Sequence, residues 1–235
     1  MEIANKVVLI TGASSGIGAA TAVLLHQRGA KIALAARSLD MLSDLANTLE
    51  GSLPERADLS EEADVKSMVK NVLSHFGRID ILINNAGQGY ESLVENIDPK
   101  RFRYLLELNL MAPLIAMQSV IPSMRAQGGG MILNISSGTS FLYIPTVGAY
   151  SATKRSLNGL SLTARAELKK DNIRVSVVHP YITLTRFHKH LHVDPHLPPP
   201  DSAEFVAHRI EEAIISEKAE VFAHDWMRKN KRFMV

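Results

Sequence analysis

The chain contains no cysteine. Disulfide bonds, thiolate nucleophiles and cysteine-ligated zinc are therefore excluded, and the sequence is compatible with a reducing compartment. The formal net charge is only +2, which is too small to indicate a nucleic-acid or membrane-surface partner. No apolar run is long enough to cross a membrane, and the first residues lack the apolar core of a secretory signal. We therefore expect a cytoplasmic protein with no nucleic-acid partner and no integral membrane segment.

Apolar residues are plentiful, since 46% of the 235 residues are hydrophobic. That fraction supports one sizeable core, and a single domain is expected over 1–235. Short apolar runs predict strands near 7–10, 31–36, 53–58, 79–83, 131–135, 174–179 and 220–223. Helical patterns occupy 17–28, 39–49, 61–76, 99–125, 149–170 and 203–217. This alternation predicts an α/β fold: a Rossmann-like, doubly wound parallel sheet of about seven strands, with helices on both faces in a three-layer α/β/α sandwich.

The helix predicted over 99–125 contains two internal prolines, Pro113 and Pro122. Proline lacks the N–H that an α-helix requires and its ring clashes with the preceding turn. We therefore expect this helix to be kinked or shortened.

A glycine-rich turn, TGASSGIG over 11–18, joins the first strand to the first helix. Gly12 permits a sharp turn, while Gly16 and Gly18 let the backbone approach a pyrophosphate closely. The spacing is not G-x-G-x-x-G, and the absence of Gly-Lys-Ser/Thr excludes a P-loop. The alternative is that these glycines serve only the turn.

The end of the second strand indicates which nicotinamide cofactor is used. Many dinucleotide-binding folds carry an acidic residue about 20 positions after the glycines, where it binds the ribose hydroxyls of NAD. Here Ala36 occupies that position and Arg37 follows it. A guanidinium matches a 2′-phosphate in charge and in its planar fork of donors. The pattern predicts NADP (NADPH), with NAD less favoured, and the alternative is that Arg37 is a solvated surface charge.

Tyr150 and Lys154 lie on one face of a predicted helix. The pKa of a free tyrosine is about 10, and a neighbouring ammonium stabilises the phenolate and lowers that value. Taken alone, this spacing is more typical of two solvated neighbours. Ser137 at a strand end and Asn109 in a helix likewise have structural alternatives, as a turn residue and a satisfied polar group.

Five segments occur in a characteristic order: 11–18 (TGASSGIG), 84–87 (NNAG), Asn109, 135–137 (ISS) and 150–154 (YSATK). Together they resemble the classical short-chain dehydrogenase/reductase (SDR) family from position 6 to about 185. The resemblance implies that Tyr150 exchanges a proton with a carbonyl or alcohol oxygen. It implies that Ser137 polarises that oxygen, and that Lys154 holds the nicotinamide ribose and relays protons. Asn109 is expected to complete the relay through water.

The same resemblance predicts the cofactor contacts. They are Gly12, Ser14, Ser15, Gly16, Ile17, Gly18, Arg37, Asp58, Leu59, Asn85, Ala86, Gly87, Tyr150, Lys154, Pro180, Thr183 and Thr185. Asp58 could equally cap the next helix. Tyr181 stands where the family usually has glycine. It would be strained at a positive φ, or it could place its ring beside the nicotinamide or the substrate.

Two apolar segments, 141–147 and 181–200, are expected to contact the substrate, and the second is predicted to be a mobile lid. Their composition favours a fairly apolar carbonyl compound or secondary alcohol. The predicted substrate contacts are Ser137, Tyr143, Tyr150, Tyr181 and Phe187. Histidines between 188 and 196 could in principle converge on a metal, but the resembled chemistry needs none and no metal is predicted. The basic tail over 226–235 is expected to pack on the body or on a second subunit, with a membrane-surface role as the alternative.

We therefore predict an NADP(H)-dependent oxidoreductase of the SDR type that transfers hydride between nicotinamide and a carbonyl or secondary alcohol. The alternatives are a catalytically silent dinucleotide-binding sensor or scaffold and a sugar-nucleotide epimerase or dehydratase. The resemblance also implies a homodimer or homotetramer.

Overall fold

A computed structural model describes residues 1–185 and 198–230 of the chain. One sheet organises these residues. Its strands are β1 (Val7–Thr11), β2 (Lys31–Ala36), β3 (Leu53–Arg56), β4 (Ile81–Asn84), β5 (Gly130–Ile135), β6 (Ile173–His179) and β7 (Glu220–Phe222). All neighbouring pairs are parallel, in the order β3-β2-β1-β4-β5-β6-β7. The predicted seven-stranded parallel sheet is confirmed.

Helices follow the strands along the chain. They are α1 (Gly16–Gln27), α2 (Leu39–Ala46), α3 (Glu62–Phe76), α4 (Pro99–Leu106), α5 (Ala112–Ala126), α6 (Gly148–Leu168), α7 (Ala203–Ser216) and α8 (Asp225–Asn230). Short 3₁₀ turns lie at Val94–Asn96, Gly138–Phe141 and Lys169–Asp171.

Two hydrophobic cores cover the two faces of the sheet. Successive residues of a strand point to opposite faces, so Leu9 and Ile10 of β1 contribute to different cores. Ile10 packs in a cluster that includes Leu25 of α1, and Leu9 packs in one that includes Met68 of α3 and Val120 of α5. The predicted three-layer α/β/α sandwich is confirmed, and its strands are apolar throughout because both faces are covered.

The helix predicted over 99–125 is interrupted, as its prolines suggested. Glu107–Met111 form a wider π-helical turn between α4 and α5. Pro113 has no N–H to donate to the carbonyl of Asn109, and the N–H of Ala112 bonds to the carbonyl of Glu107. Pro122, in contrast, lies inside α5, which continues to Ala126.

Several predicted elements end earlier in the structure than in the sequence analysis, and local hydrogen bonds or backbone angles explain two of these ends. The helix expected over 39–49 ends at Ala46, because the N–H groups of Thr48 and Leu49 bond three residues back in a tighter turn. The helix expected to end at Glu217 ends one residue earlier, since Glu217 has a left-handed φ of 52°.

By length and composition alone, the helical stretch Pro99–Ala126 could cross a membrane, since an 18-residue window within it has a mean hydropathy of 1.4. Core helices of globular domains meet the same criterion. Met117, Val120 and Met124 of this stretch are buried in the core beside α3, so its apolar side chains have a place inside the domain.

The topology fixes where a ligand can bind. After β1 the chain builds β2 and β3 on one side, then returns to place β4 on the other side of β1. In open α/β sheets the crevice at such a reversal, beyond the carboxyl ends of the strands, is the usual ligand site. The glycine turn follows β1 and the 84–87 segment follows β4, so both border this crevice.

Candidate active site

A cleft of about 470 Å³ opens at the carboxyl ends of the strands. Its lining includes the glycine turn, the end of β2, the segments after β3 and β4, and Ser137, Tyr150 and Lys154. The cleft therefore brings the predicted phosphate-binding and proton-transfer residues into one continuous space.

The glycine turn packs too tightly for larger residues at two points. Gly12 has a φ of +66°, and a Cβ there would lie 2.9 Å from the Cα of Ala86. A Cβ on Gly18 would lie only 2.4 Å from the carbonyl oxygen of Gly12. Helix α1 is thereby held close against the end of β1, with its N-terminus beside the cleft.

Thr11 and Asn85 join the ends of β1 and β4. The Thr11 hydroxyl oxygen accepts hydrogen bonds from the backbone N–H of Asn85 at 3.0 Å and of Ala86 at 3.1 Å. The Asn85 side-chain amide donates to the carbonyls of Thr11 at 2.9 Å and Gly12 at 3.2 Å. This network fixes the 84–87 segment against the glycine turn.

The end of β2 presents Arg37 to the cleft. Ala36 precedes it and also lines the cleft, so no acid stands at the position that would bind ribose hydroxyls. Arg37 Nη1 donates a 3.3 Å hydrogen bond to the hydroxyl of Tyr104 on α4. The guanidinium is otherwise exposed and available to an anion.

Asp58 does not cap α3. Its carboxylate accepts from the backbone and side chain of Ser60 at 3.0 and 2.7 Å, and these bonds lower its pKa, with smaller contributions from Arg37 and Arg56. The residue at the α3 cap is Glu61, whose side chain makes no capping bond. The capping alternative is therefore wrong, because the Asp58 carboxylate accepts its hydrogen bonds from Ser60, two residues away.

Tyr150 lies on the first turn of α6 and is 9% exposed. Burial raises its pKa to about 12, and a hydrogen bond with the Ser137 side chain acts in the opposite direction. The Ser137 oxygen also accepts hydrogen bonds from the N–H and hydroxyl of Thr139 at 3.2 and 3.0 Å. These two donors orient the Ser137 hydroxyl so that its own hydrogen points away from Thr139.

Lys154 stands one turn after Tyr150 and is also buried. Its ammonium lies 5.9 Å from the centre of the Tyr150 ring and donates a 2.8 Å hydrogen bond to the carbonyl of Ile135. Burial lowers the pKa of Lys154 to about 8. The expected lowering of the Tyr150 pKa is wrong for this structure, because Lys154 is directed to Ile135 and burial outweighs any effect on the phenol.

Asn109 lies in the π-helical turn and is fully buried. Its amide donates to the carbonyl of Gln88 at 2.9 Å and to the hydroxyl of Thr153 at 3.1 Å, and its side-chain oxygen accepts from the N–H of Gln88 at 2.9 Å. A Cβ on Gly87 would lie 3.1 Å from that oxygen and 3.4 Å from Lys154 Nζ. Asn109 thus braces the loop after β4 close to the Lys154 ammonium, without lining the cleft itself.

Pro180 and Tyr181 follow β6, and both line the cleft. Among the described non-glycine residues, positive φ occurs at Asn5, Thr146, Asn172 and Glu217. Tyr181 therefore has an ordinary backbone conformation, and the predicted strain at this position is wrong. The tyrosine needs no left-handed geometry here and places its ring at the cleft.

A profile of the short chain dehydrogenase family matches residues 6–195. The chain belongs to this family. The family acts on CH–OH and C=O groups with NAD(P), so the chain is an oxidoreductase of this kind, as the sequence motifs predicted.

Individual relatives of this short chain dehydrogenase differ in substrate and nucleotide. A 3alpha-hydroxysteroid dehydrogenase of Mediterraneibacter gnavus is 35% identical over 191 residues, which cover 79% of this chain and 76% of the relative. An L-sorbose reductase from Gluconobacter frateurii, solved with NADPH and L-sorbose, is 31% identical with a TM-score of 0.84 and 91% coverage of each chain. A 3-ketoacyl-(acyl-carrier-protein) reductase from Brucella melitensis, solved with NADH, is 27% identical with a TM-score of 0.86, covering 90% of this chain and 91% of that one.

Most of the residues that the motifs of this short chain dehydrogenase indicated line the cleft. The cofactor candidates that do so are Gly12, Ser14, Ser15, Gly16, Ile17, Arg37, Leu59, Asn85, Ala86, Gly87, Tyr150, Lys154, Pro180, Thr183 and Thr185. Three further predicted residues, Gly18, Asp58 and Asn109, do not line the cleft. Tyr143 also lies outside it, 70% exposed, with the Arg155 guanidinium 4.2 Å from its ring centre.

Two sets of residues differ between the sequence analysis and the structure. Some predicted residues lie outside the described ranges, and some residues that line the cleft were not predicted. Phe187 and the histidines between 188 and 196 lie outside the described residues, so their predicted roles stay predictions. The sequence analysis missed five lining residues: Ser38, Ala57, Gln88, Gly89 and Leu108. Ser38 and Ala57 adjoin predicted contacts and could have been found by extending each motif, whereas Leu108 reaches the cleft only through the π-helical turn.

The residues present fit a dinucleotide. Ser15 precedes α1 and makes no side-chain capping bond, which leaves the N–H groups of the first helical turn to an anionic phosphate. The close approaches at Gly12 and Gly18 keep that helix end beside the cleft. Arg37 adds a cation at the far end of β2.

Proposed function

We propose that this short chain dehydrogenase is NADP(H)-dependent and interconverts a fairly apolar carbonyl compound with its secondary alcohol. The observation that carries the proposal is the buried Tyr150 phenol, hydrogen-bonded to Ser137 and followed one helical turn later by Lys154, in a cleft shared with the glycine turn.

The protein side of the reaction is a proton transfer at the Tyr150 hydroxyl. Because burial raises the Tyr150 pKa to about 12, the phenol is protonated at neutral pH and is ready to donate to a carbonyl oxygen. The Ser137 hydroxyl donates to the same oxygen and stabilises the negative charge that develops there. Bound nicotinamide would supply or accept the hydride.

Lys154 and Asn109 support this proton transfer. The Lys154 ammonium, buried beside Tyr150, stabilises the phenolate left after donation and would also bind the nicotinamide ribose. The Asn109 side-chain amide donates hydrogen bonds to Gln88 and to Thr153, the residue before Lys154. We propose that a water between Asn109 and Lys154 extends the relay toward solvent.

Arg37 supports the preference for NADP over NAD. Its guanidinium lines the cleft at the end of β2, and Ala36 leaves no carboxylate to bind the ribose hydroxyls or to repel a 2′-phosphate. The other proposed cofactor contacts are the cleft-lining residues given above. Gly18 and Asp58 do not line the cleft and are proposed to support the residues that do.

The substrate preference is proposed from the apolar side chains near the cleft. Val94, Tyr143, Ile144 and Leu184 are exposed in the loops that follow β4, β5 and β6. An apolar substrate would cover such side chains and gain free energy from the burial. We further propose that the chain acts in the cytoplasm, as a single domain over 1–235, in a homodimer or homotetramer.

The experiment measures NADPH oxidation with a panel of apolar ketones, steroid ketones, quinones and 3-oxoacyl thioesters, with a ketose sugar as the polar counterpart and NADH as the competing donor. Tyr150→Phe should lower kcat by at least about 100-fold, because proton donation contributes that much to such reactions. NADPH affinity, measured by fluorescence titration, should stay near wild type. Tyr90→Phe is the matched control and should keep full activity, since among the described residues the Tyr90 hydroxyl accepts only from the backbone N–H of Asp98 and Tyr90 does not line the cleft.

The proposal fails if Tyr150→Phe turns over any panel compound at the wild-type rate. It also fails if the wild-type protein binds NADPH but reduces no compound in the panel. The cofactor preference fails separately if NADH supports the higher kcat/KM.

A further inference from the structure

Residues 181–184 are joined to residues 198–201 by hydrogen bonds at two places. The Tyr181 hydroxyl donates to the carbonyl of Pro198 at 3.0 Å. The N–H of Asp201 donates to the carbonyl of Ile182 at 2.8 Å, and the N–H of Leu184 donates to the carbonyl of Asp201 at 2.9 Å. Thr183, between them, is 2% exposed and lines the cleft. The backbone of Asp201 therefore supports the wall of the cleft directly behind Thr183.

The side chain of Asp201 makes a second connection, to the segment after β7. Its two carboxylate oxygens lie 2.9 and 3.1 Å from His224 Nε2. The Asp201 side chain is only 10% exposed and that of His224 30%, so this hydrogen bond is less exposed to solvent than a surface contact. Asp201 thus connects the 182–184 segment to the start of α8.

An aromatic cluster surrounds this hydrogen-bonded pair. The His224 ring stacks with Phe205 at 5.2 Å and with Trp226 at 5.8 Å, measured between ring centres. Tyr181, which lines the cleft, meets His224 and Trp226 edge-on at 5.9 and 5.4 Å. Burial and, secondarily, the charge of Asp201 raise the pKa of Tyr181. The orientation of the Tyr181 ring therefore depends on residues that follow β7 as well as on the bond of its hydroxyl to Pro198.

The same C-terminal segment contacts the turn that carries Ser137. Met227 is buried against Gly138, where a Cβ would lie 2.6 Å from its terminal methyl carbon. Gly138 in turn donates its N–H to the carbonyl of Pro180 at 2.8 Å. Residues 224–227 therefore touch both the Ser137 turn and the Tyr181 wall.

We propose that Asp201, His224 and Trp226 form a clamp that positions the substrate half of the cleft, the side lined by Ser137 and Tyr181. The clamp holds Tyr181 against the start of α8, while Met227 of the same helix packs on the Ser137 turn. The three residues act as positioning residues, since none of them lines the cleft. The proposal rests on the proposed function for its kinetic readout. It extends that function by making the C-terminal segment a determinant of substrate affinity rather than of nucleotide affinity.

Two variants separate the Asp201–His224 hydrogen bond from general packing. Asp201→Asn keeps the backbone bonds to 182–184 and removes the charge. His224→Phe keeps an aromatic ring between Phe205 and Trp226 and removes the donor to Asp201. The matched control is His208→Phe, because His208 also contacts a carboxylate, Glu211 at 3.1 Å, on the exposed surface of α7.

Kinetics and fluorescence then test the clamp. With NADPH and phenanthrenequinone, both clamp variants should raise KM about tenfold, which corresponds to about 1.4 kcal/mol of binding free energy. Their kcat and their Kd for NADPH should stay near wild type. Trp226 is the only tryptophan of the chain, so acrylamide quenching of the protein fluorescence reports on the clamp directly. Both variants should increase that quenching, and His208→Phe should change neither quantity.

The clamp is disproved if both variants keep the wild-type KM and quenching, or if the Kd for NADPH rises in parallel with KM, which would indicate general loosening. If the wild-type protein reduces no ketone or quinone, the proposed function fails on its own. The quenching comparison then decides the clamp: increased quenching in both variants supports it, and unchanged quenching overturns it.

Discussion

In the nucleotide half of the cleft, the glycine turn is held by contacts that end on main-chain atoms, whereas the substrate half also depends on contacts between two side chains. The nucleotide half comprises 11–18, 36–38, 57–59 and 84–88, and the substrate half comprises 137–141, 181, 198–202 and 223–227. The proposed cofactor contacts Pro180, Thr183 and Thr185 lie where the two halves meet. In the first, Gly18 packs on the Gly12 carbonyl and Asn85 bonds to the backbone of β1. In the second, His224 bonds to Asp201 and stacks on Trp226.

The two halves of the cleft differ in the range of amino acids that their positions can accept. A backbone-to-backbone approach leaves no room for a larger residue, so it restricts the sequence to glycine at that point. A side-chain contact can be replaced by another of similar size and polarity. A family can therefore keep one nucleotide site while its substrate sites diverge, which agrees with the hydroxysteroid, sorbose and ketoacyl names of its relatives.

The largest effect is expected from filling the closest approach in the nucleotide half. Gly18→Val should weaken NADPH binding about 100-fold or more, because its Cβ would overlap the Gly12 carbonyl and displace α1, at a cost of about 3 kcal/mol. Fluorescence titration with NADPH measures the loss. Gly159→Ala is the control, since a Cβ there meets nothing within 4 Å and should leave binding unchanged. Equal affinity in Gly18→Val would show that the turn is not tightly packed.

A smaller effect is expected at Lys154, where the two halves meet. Burial lowers the Lys154 pKa to about 8 from 10.5, so between these values the unfolded chain binds more protons and wild-type stability rises with pH. Lys154→Met lacks this dependence. Its stability relative to wild type should therefore fall by on the order of 2 kcal/mol between pH 7 and pH 10.

Urea unfolding of both proteins across this pH range measures the difference. The carbonyl of Ile135 loses its donor in the variant, but that cost does not vary with pH and cancels in the comparison. A difference that stays constant with pH would mean that Lys154 keeps an ordinary pKa.

The smallest effect is expected from the exposed cation of the nucleotide half. Arg37→Met should weaken NADPH binding about tenfold, or about 1.4 kcal/mol, and leave NADH binding unchanged, since solvent competition keeps an exposed charge-assisted bond at the low end of its usual range. Arg56→Met is the matched control, because Arg56 ends the neighbouring strand but does not line the cleft. Equal losses for both nucleotides would assign Arg37 a structural role instead.

The nucleotide half could be predicted from sequence to a greater extent than the substrate half. The glycine turn and the 84–87 segment stand at strand ends that the apolar runs had already located, so their meeting at one edge of the sheet follows from parallel topology. The Tyr150 pKa could not be obtained in this way. Spacing indicated a neighbouring ammonium, but only the packed structure shows that burial dominates and that Lys154 bonds to Ile135.

The substrate half shows why the remainder needed tertiary structure. Tyr181 was identified as a departure from the family pattern, yet nothing local indicated that its ring meets Trp226, which is remote in sequence. Pro113 indicated that the helix would be interrupted, but it did not indicate the π-helical turn that brings Leu108 to the cleft.

The sequence by itself determined the parallel α/β sheet and the position of the glycine turn, and it supplied the candidates for proton transfer. These features are local, because strand and helix periodicity and glycine spacing operate within a few residues of one another. The tertiary structure decided the burial of Tyr150, the direction of the Lys154 ammonium and the joining of 181–185, 201 and 224–227. Those contacts link segments that are far apart in sequence, and only the packing of the whole domain determines which side chains meet.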